Sequence, residues 1–228
     1  MLKKFIVGSS LIICLSPALL FTGCAGTTKP DTLSGDTQSL KELYDAQVLL
    51  DKADKLFKEA DYTGASQEYR RFLEYHPVHT SASYVQYRIG LSHFKRIRTI
   101  DTDIEPVQKA LAAFEILERD YPLSEYVNDT KEKIKICREK LAEREFYIGS
   151  FYLNKEAYPA AIERFNTILN EYSDTAVSEK ASYYLSIAYN SNGTSDKAVN
   201  ILKNLLEKHP ETSYKKDASE LLAKLIHS

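Results

Sequence analysis

Few residues of this 228-residue chain stand in a pattern that performs chemistry. No G-x-S-x-G segment presents a nucleophilic serine, and the eight glycines are scattered instead of gathered into a phosphate-cradling loop. His76 and His79 flank Pro77, where two imidazoles could share a metal, but a solvated turn is the simpler reading. Asp101, Asp103 and Glu105 offer oxygen ligands of the kind calcium takes. Their spacing lacks the glycine and the distal glutamate of an EF-hand loop, so they read as a charged surface loop. No catalytic residue, metal site or cofactor is therefore expected. What remains is the thiol chemistry of Cys14, Cys24 and Cys137.

The first elements to consider are those around Cys24. Lys3 and Lys4 precede an almost unbroken apolar run from Phe5 to Phe21, the charged and hydrophobic layout of a secretory signal. About 17 apolar residues is also the lower limit for spanning a bilayer, so an uncleaved anchor competes with that reading. The segment Leu20-Phe21-Thr22-Gly23-Cys24 resembles the lipobox of bacterial lipoproteins, with Phe21 in place of the usual Leu. The resemblance implies a signal peptide over 1–23 and acylation of Cys24. Ala25, standing where an Asp would hold a lipoprotein at the inner membrane, resembles the signal for the outer one. The expected location is thus the periplasmic face of the outer membrane, with a lipid anchor as the membrane contact. Two of the 30 basic residues leave with the signal, so 28 face 32 acidic ones. That balance argues against nucleic acid as a partner. Cys137 would then be the only free thiol in an oxidising compartment, and it reads as an inert residue on a buried helix face.

Residues 25–38 are rich in Gly, Ser, Thr, Pro and Asp without an apolar period, which makes 24–38 an acylated cysteine and flexible tether reaching about 45 to 50 Å. Helix structure is expected from Ser39, where Ser39 and Glu42 are spaced as a capping box. Leu43, Ala46, Leu50, Ala53 and Phe57 then mark one helix face.

A spacing recurs four times along the rest of the chain: a small residue, an alanine on the next helix, a bulky residue four later, and a chain break eight beyond. The sets are Ala53, Ala65, Tyr69, Pro77; Gly90, Ala110, Phe114, Pro122; Gly149, Ala161, Phe165, Ser173; and Ser186, Ala198, Leu202, Pro210. Small residues allow two helices of a hairpin to cross closely, the bulky residue fills the gap between neighbouring hairpins, and proline ends the second helix. The pattern resembles the tetratricopeptide repeat, without its Trp. The expected fold is all-α: a tetratricopeptide-like helical-hairpin solenoid of about five repeats and ten helices. In the second set the small residue and the alanine lie 20 apart, against 12 in the others, which predicts a longer loop over RIRTIDTDIEP. Between Pro122 and Gly149 the apolar pattern runs on through Ile134, Cys137, Leu141 and Tyr152, predicting one helix of about 30 residues, some 45 Å long. It would join N-terminal repeats over 39–137 to C-terminal repeats over 138–228, the last ending in a capping helix.

First helices of such hairpins line the concave face. The groove positions are Gln47, Leu50, Asp54 and Phe57 in the first repeat and Tyr84, Tyr87, Leu91 and Phe94 in the second. They form an aromatic trough with polar tips, suited to an extended segment of alternating hydrophobicity; packing between repeats is the competing role for these rings. The corresponding positions Glu143, Phe146, Ser150 and Leu153, then Lys180, Tyr183, Ile187 and Asn190, are more mixed.

The lipobox, the tether, YRIGLSHFKRI with the acidic loop IDTDIEP, KALAAFEILERDYPLSEY and LAEREFYIGSFYLNKEAYPAAIERFNTILNEYSDT together resemble the BamD (ComL-type) lipoproteins of outer-membrane protein assembly. That resemblance implies a non-enzymatic subunit of the β-barrel assembly machinery. Its N-terminal groove, through Phe57, Tyr84, Tyr87, Leu91 and Phe94, would engage the signal strand of unfolded outer-membrane β-barrel proteins, which alternates in hydrophobicity as expected. Its C-terminal face, through Lys180, Tyr183, Ile187 and Asn190, would hold the BamA-type insertase, alongside other lipoproteins of the complex. A repeat lipoprotein that pilots secretin or pilus assembly would share the same features. A cell-wall enzyme on a repeat scaffold is the reading from another class, and it lacks both a catalytic motif and room for a second domain. Asn192-Gly193-Thr194 has the form of a glycosylation acceptor, which a bacterial chain does not use.

Overall fold

The computed structural model describes residues 44–99 and 103–227. The expected signal peptide, Cys24, the expected tether, the expected capping box at Ser39 and the loop residues 100–102 lie outside them. Nine helices are present among the described residues: α1 (Ala46–Lys58), α2 (Tyr62–Tyr75), α3 (Ala82–Lys95), α4 (Glu105–Asp120), α5 (Val127–Asn154), α6 (Tyr158–Glu171), α7 (Val177–Ser191), α8 (Ser195–Lys208) and α9 (Lys215–Ile226). Each packs on its sequence neighbours, as a hairpin solenoid requires.

Local chemistry sets the helix starts. Asp45 Oδ1 accepts from the backbone N–H groups of Gln47 (2.9 Å) and Val48 (3.2 Å), and Asp61 Oδ1 accepts from Gly64 (2.9 Å), each carboxylate satisfying orphan donors. Pro106 near the start of α4 and Pro159 near that of α6 sit where a missing N–H costs nothing. The second helices end at Tyr75, Asp120, Glu171 and Lys208, just before Pro77, Pro122, Ser173 and Pro210.

Three hairpins turn in the same way. Asp61, Ala157 and Thr194 each donate a backbone N–H five residues back, to Leu56, Tyr152 and Tyr189, all at 2.9 Å. The residue before each is left-handed: Ala60 (φ 62), Glu156 (φ 57) and Gly193 (φ 77). Each stands seven after the small residue of its set. In the second hairpin the longer loop replaces this turn, as the spacing predicts.

The repeated residues form the core. Ala53, Ala65, Tyr69, Ala110, Phe114, Ala161, Phe165, Ala198 and Leu202 are all fully buried. The bulky member fits against the small residue of its own hairpin: a Cβ on Gly90 would lie 2.5 Å from Phe114, and one on Gly149 2.7 Å from Phe165. It therefore fills the crossing within a hairpin, and Phe165 also packs on Tyr184 of the next hairpin at 6.2 Å, where the sequence suggested only the gap between hairpins. The long helix α5 runs 28 residues, or about 42 Å. Cys137 and Leu141 near its middle join Val107, Ala110 and Phe114, whereas Ala142 and Phe146 belong to the cluster around Phe165 and Leu185. Burial pushes the Cys137 thiol up to about 12, leaving it unreactive. At the far end α9 covers Leu202 and Leu205 with Ala218, as a cap does. No helix among the described residues is long and apolar enough to cross a membrane.

Candidate functional site

The first-helix residues of the N-terminal hairpins meet around one carboxylate. Asp54, on α1, accepts hydrogen bonds at Oδ1 from the hydroxyls of Tyr69 and Tyr84, the latter at 2.8 Å. Arg88, one turn beyond Tyr84 on α3, donates from Nε to Tyr69 Oη at 2.9 Å and brings Nη2 to 3.6 Å from Asp54 Oδ1. Its guanidinium lies 3.6 Å from the centroid of the Phe57 ring. A cation over an aromatic face with a carboxylate beside it is a rigid arrangement, since each partner fixes the others. Burial, then the bond to Asp54, pushes the Tyr84 phenol up to about 12, and burial raises Tyr69 still further. Both therefore remain neutral donors at any ordinary pH.

Tyr87 lies further along α3 and faces α5. Its ring stacks on Tyr126 at 4.7 Å with an interplanar angle of 15°, and its hydroxyl donates to Asp129 Oδ2 at 2.5 Å. Tyr126 also approaches Tyr84, at 5.9 Å. Phe94 packs on Phe114 at 6.2 Å, with Lys133 Nζ 5.5 Å from its ring. The structure thus brings Phe57, Tyr84 and Tyr87 into one aromatic wall through Arg88 and Tyr126, while Phe94 lies at its α5 end. All of these rings, and Leu91, are half-buried, so they pack between helices and still keep part of their surface accessible. Arg88, Tyr126 and Asp129 were not among the residues expected from sequence. Arg88 was visible as a cation directly after Tyr87, but nothing in the spacing placed Tyr126, which precedes α5 and reaches back across the groove.

The C-terminal positions are engaged differently. Lys180 Nζ sits 4.1 Å from the centroid of Phe146, Tyr183 stacks on Tyr214 at 5.3 Å, and Asn190 Oδ1 accepts from Ser195 Oγ at 3.0 Å. Ile187 is half-buried between them in sequence. Tyr183 and Tyr214 thus tie α7 to the start of α9, while Lys180 ties it to α5.

Of the residues weighed for metal binding, His76, His79 and Asp103 serve the fold, and Asp101 lies outside the described residues. A ring nitrogen of His76 bonds the Tyr44 carbonyl at 2.7 Å, His79 Nδ1 accepts from the Ser81 N–H at 3.1 Å, and Asp103 Oδ1 accepts from the Glu105 N–H at 2.9 Å. No group of three or more metal-ligating side chains is gathered among the described residues.

Stacked helical hairpins with an aromatic wall on their first helices define a tetratricopeptide-type repeat scaffold. Within that class the chain belongs to the YfiO family, described as outer membrane lipoproteins, whose model matches residues 36–200. It is 31% identical over 177 residues to the outer membrane protein assembly factor BamD of Vibrio cholerae, a match covering 73% of each chain. The BamD of Rickettsia prowazekii is 30% identical over 168 residues, covering 74% of this chain and 67% of its own. The BamD of Caulobacter vibrioides is 31% identical over 137 residues, covering 60% of this chain and 45% of its own.

Proposed function

We propose that the chain is a lipid-anchored, non-enzymatic subunit of the machinery that assembles β-barrel proteins in the outer membrane. Cys24 carries the anchor, and the repeats face the periplasm. The N-terminal groove holds extended segments of unfolded barrel proteins, and the C-terminal hairpins, with Lys180, Tyr183, Ile187 and Asn190, hold the barrel-shaped insertase. Family membership and the names of the relatives support the assembly role. The observation that carries the groove is the wall of Phe57, Tyr84, Tyr126 and Tyr87 braced by Asp54 and Arg88. Flat rings give an extended strand apolar contact on alternate side chains, and hydroxyls and the guanidinium offer polar contact to the intervening backbone.

Replacing Tyr84 and Tyr87 together by Ala is expected to weaken binding of a peptide copied from the last strand of an outer-membrane barrel protein. Removing two interface anchors costs about 1 to 4 kcal/mol, or five-fold to several hundred-fold in Kd. Isothermal calorimetry reads this, with circular dichroism to confirm that the helices persist. Unchanged affinity in a folded double variant would sink the groove assignment.

A further inference from the structure

At the junction of the first two hairpins lies a cavity of about 580 Å³, where the α1–α2 turn meets the end of α3 and the start of α4. Asp61, Thr63, Lys95, Arg96, Arg98 and Asp103 stand on its wall. Among the described residues on that wall, three cations stand against two carboxylates. The two carboxylates are committed to backbone: Asp61 caps α2 through the Gly64 N–H, and Asp103 accepts from the Glu105 N–H at the start of α4. Each faces the positive end of a helix, which offsets about half of its charge. Lys95, Arg96 and Arg98 make no ion pair among the described residues. The negative end of α3 draws cations to this place, but a helix end is worth only about half a charge against three. Ile97 packs into the core beside Phe94 and Ile104, so the two arginines flank an anchored residue.

A second observation comes from beneath the cavity. His93 is 2% exposed, with Nε2 2.7 Å from Arg70 Nη2 and Nδ1 3.5 Å from Arg96 Nη1. Burial, and then the charges of Arg70, Arg96 and Lys109, push this imidazole down to about 4, so it is neutral. A neutral imidazole has one acceptor nitrogen. The short contact assigns it to Arg70, which leaves an N–H facing Arg96. Toward His93, Arg96 therefore meets a donor instead of an acceptor; Glu105, whose charge Arg96 also feels, is ion-paired with Lys109, so the guanidinium donors of Arg96 are left for an anion.

We propose that this cavity binds a phosphate-class anion, held by the guanidinium groups of Arg96 and Arg98 with Lys95 as a further cation. The planar forks match phosphate oxygens two at a time, and lysine adds a point charge. Such a group is carried both by soluble phosphate compounds and by the headgroups of anionic phospholipids. The site is remote from the aromatic groove and stands or falls independently of it.

The test uses the full chain, unaltered and as Arg96→Gln with Arg98→Gln, each checked for the same helical melt. One arm titrates inorganic phosphate by calorimetry. The other measures flotation with vesicles of phosphatidylcholine alone or mixed with phosphatidylglycerol, comparing the two chains on the same lipids. The expected result is saturable phosphate binding that falls at least ten-fold in the double variant and recovers in part with Arg96→Lys and Arg98→Lys. Loss of the phosphatidylglycerol preference in the same variant would identify the lipid headgroup as the source. Saturable phosphate binding without any lipid preference would identify a soluble one, and either outcome supports the site. The proposal is overturned if neither arm shows binding by the unaltered chain, or if the double glutamine variant binds as the unaltered chain does.

Discussion

An ideal Cβ at Gly90 falls 2.5 Å from Phe114 Cε1 and 2.6 Å from Cδ1, with no flexible chain end to move aside. Two effects oppose each other when Gly90 becomes Ala. Helix propensity favours alanine by about 1 kcal/mol, whereas overpacking a dense core costs about 1 to 3 kcal/mol. Phe114 is fully buried and hemmed by Tyr87 and Phe94, so the cost prevails. Gly90→Ala is expected to lower the denaturant midpoint, and Phe114→Leu in that background to recover part of the loss. A stabilised Gly90→Ala would refute this crossing geometry. His93 gives a second prediction at this scale. Its folded value of about 4 lies below the ordinary 6.5, so between these values the unfolded chain binds more protons and stability rises with pH. The contribution is complete above about pH 6.5 and is lost as pH falls towards 4, by on the order of 3 kcal/mol. His93→Gln keeps an acceptor for Arg70 and removes the titration. Stability curves at pH 7 and 4.5 should converge for the variant relative to the unaltered chain; equal slopes would show that His93 does not titrate in this window.

The helices were legible in sequence where side-chain size carried the information. The small residue, the alanine and the bulky residue recur because each hairpin has one close crossing, and the spacing of 20 in the second set marks the longer loop. The turns were legible only in part. Gly193 announces a left-handed residue, but Ala60 and Glu156 occupy the same place in their hairpins with ordinary side chains. There the i to i−5 hydrogen bonds impose the conformation against local preference. A left-handed residue with a Cβ costs about 1 to 2 kcal/mol, of which about 0.4 to 1 is returned when glycine loosens the unfolded chain. Glu156→Gly is thus expected to raise stability by about 1 kcal/mol. Gly193→Ala, although nothing lies within 4 Å of its Cβ, is expected to lower it. Paired thermal melts of the two variants check both signs, and a destabilised Glu156→Gly would show that the exposed carboxylate matters more than the backbone. Tyr126 was illegible for another reason: it lies before α5, outside every repeat register, and only the return of the chain across α3 sets it between Tyr84 and Tyr87.

Across the molecule, α5 is both a divide and a strut. Its first half shares a core with α4 and its second half with α6 and α7, so one rigid helix fixes the angle between two hairpin pairs while each pair keeps its own apolar cluster. Repeats that touch mainly their neighbours keep their structure when a remote repeat is altered. The two pairs also differ in chemistry. The N-terminal wall is aromatic and braced by Asp54 and Arg88, whereas the C-terminal set places Lys180 over Phe146 and Tyr183 against Tyr214 of the cap. Binding should therefore be separable. Lys180→Glu with Tyr183→Ala removes a cation, inverts its charge and strips a ring from the end of the array. Like-charge juxtaposition at an interface costs several kcal/mol, so retention of the insertase in pull-downs should drop by an order of magnitude or more while strand-peptide affinity stays unchanged. The change at Tyr84 and Tyr87 should do the reverse. Because Tyr183 also holds the capping helix, Lys180→Glu alone serves as the control in which α9 stays docked, and it should show most of the insertase defect. Loss of both partners in both double variants would mean one shared surface, with α5 joining the halves into a single binding unit.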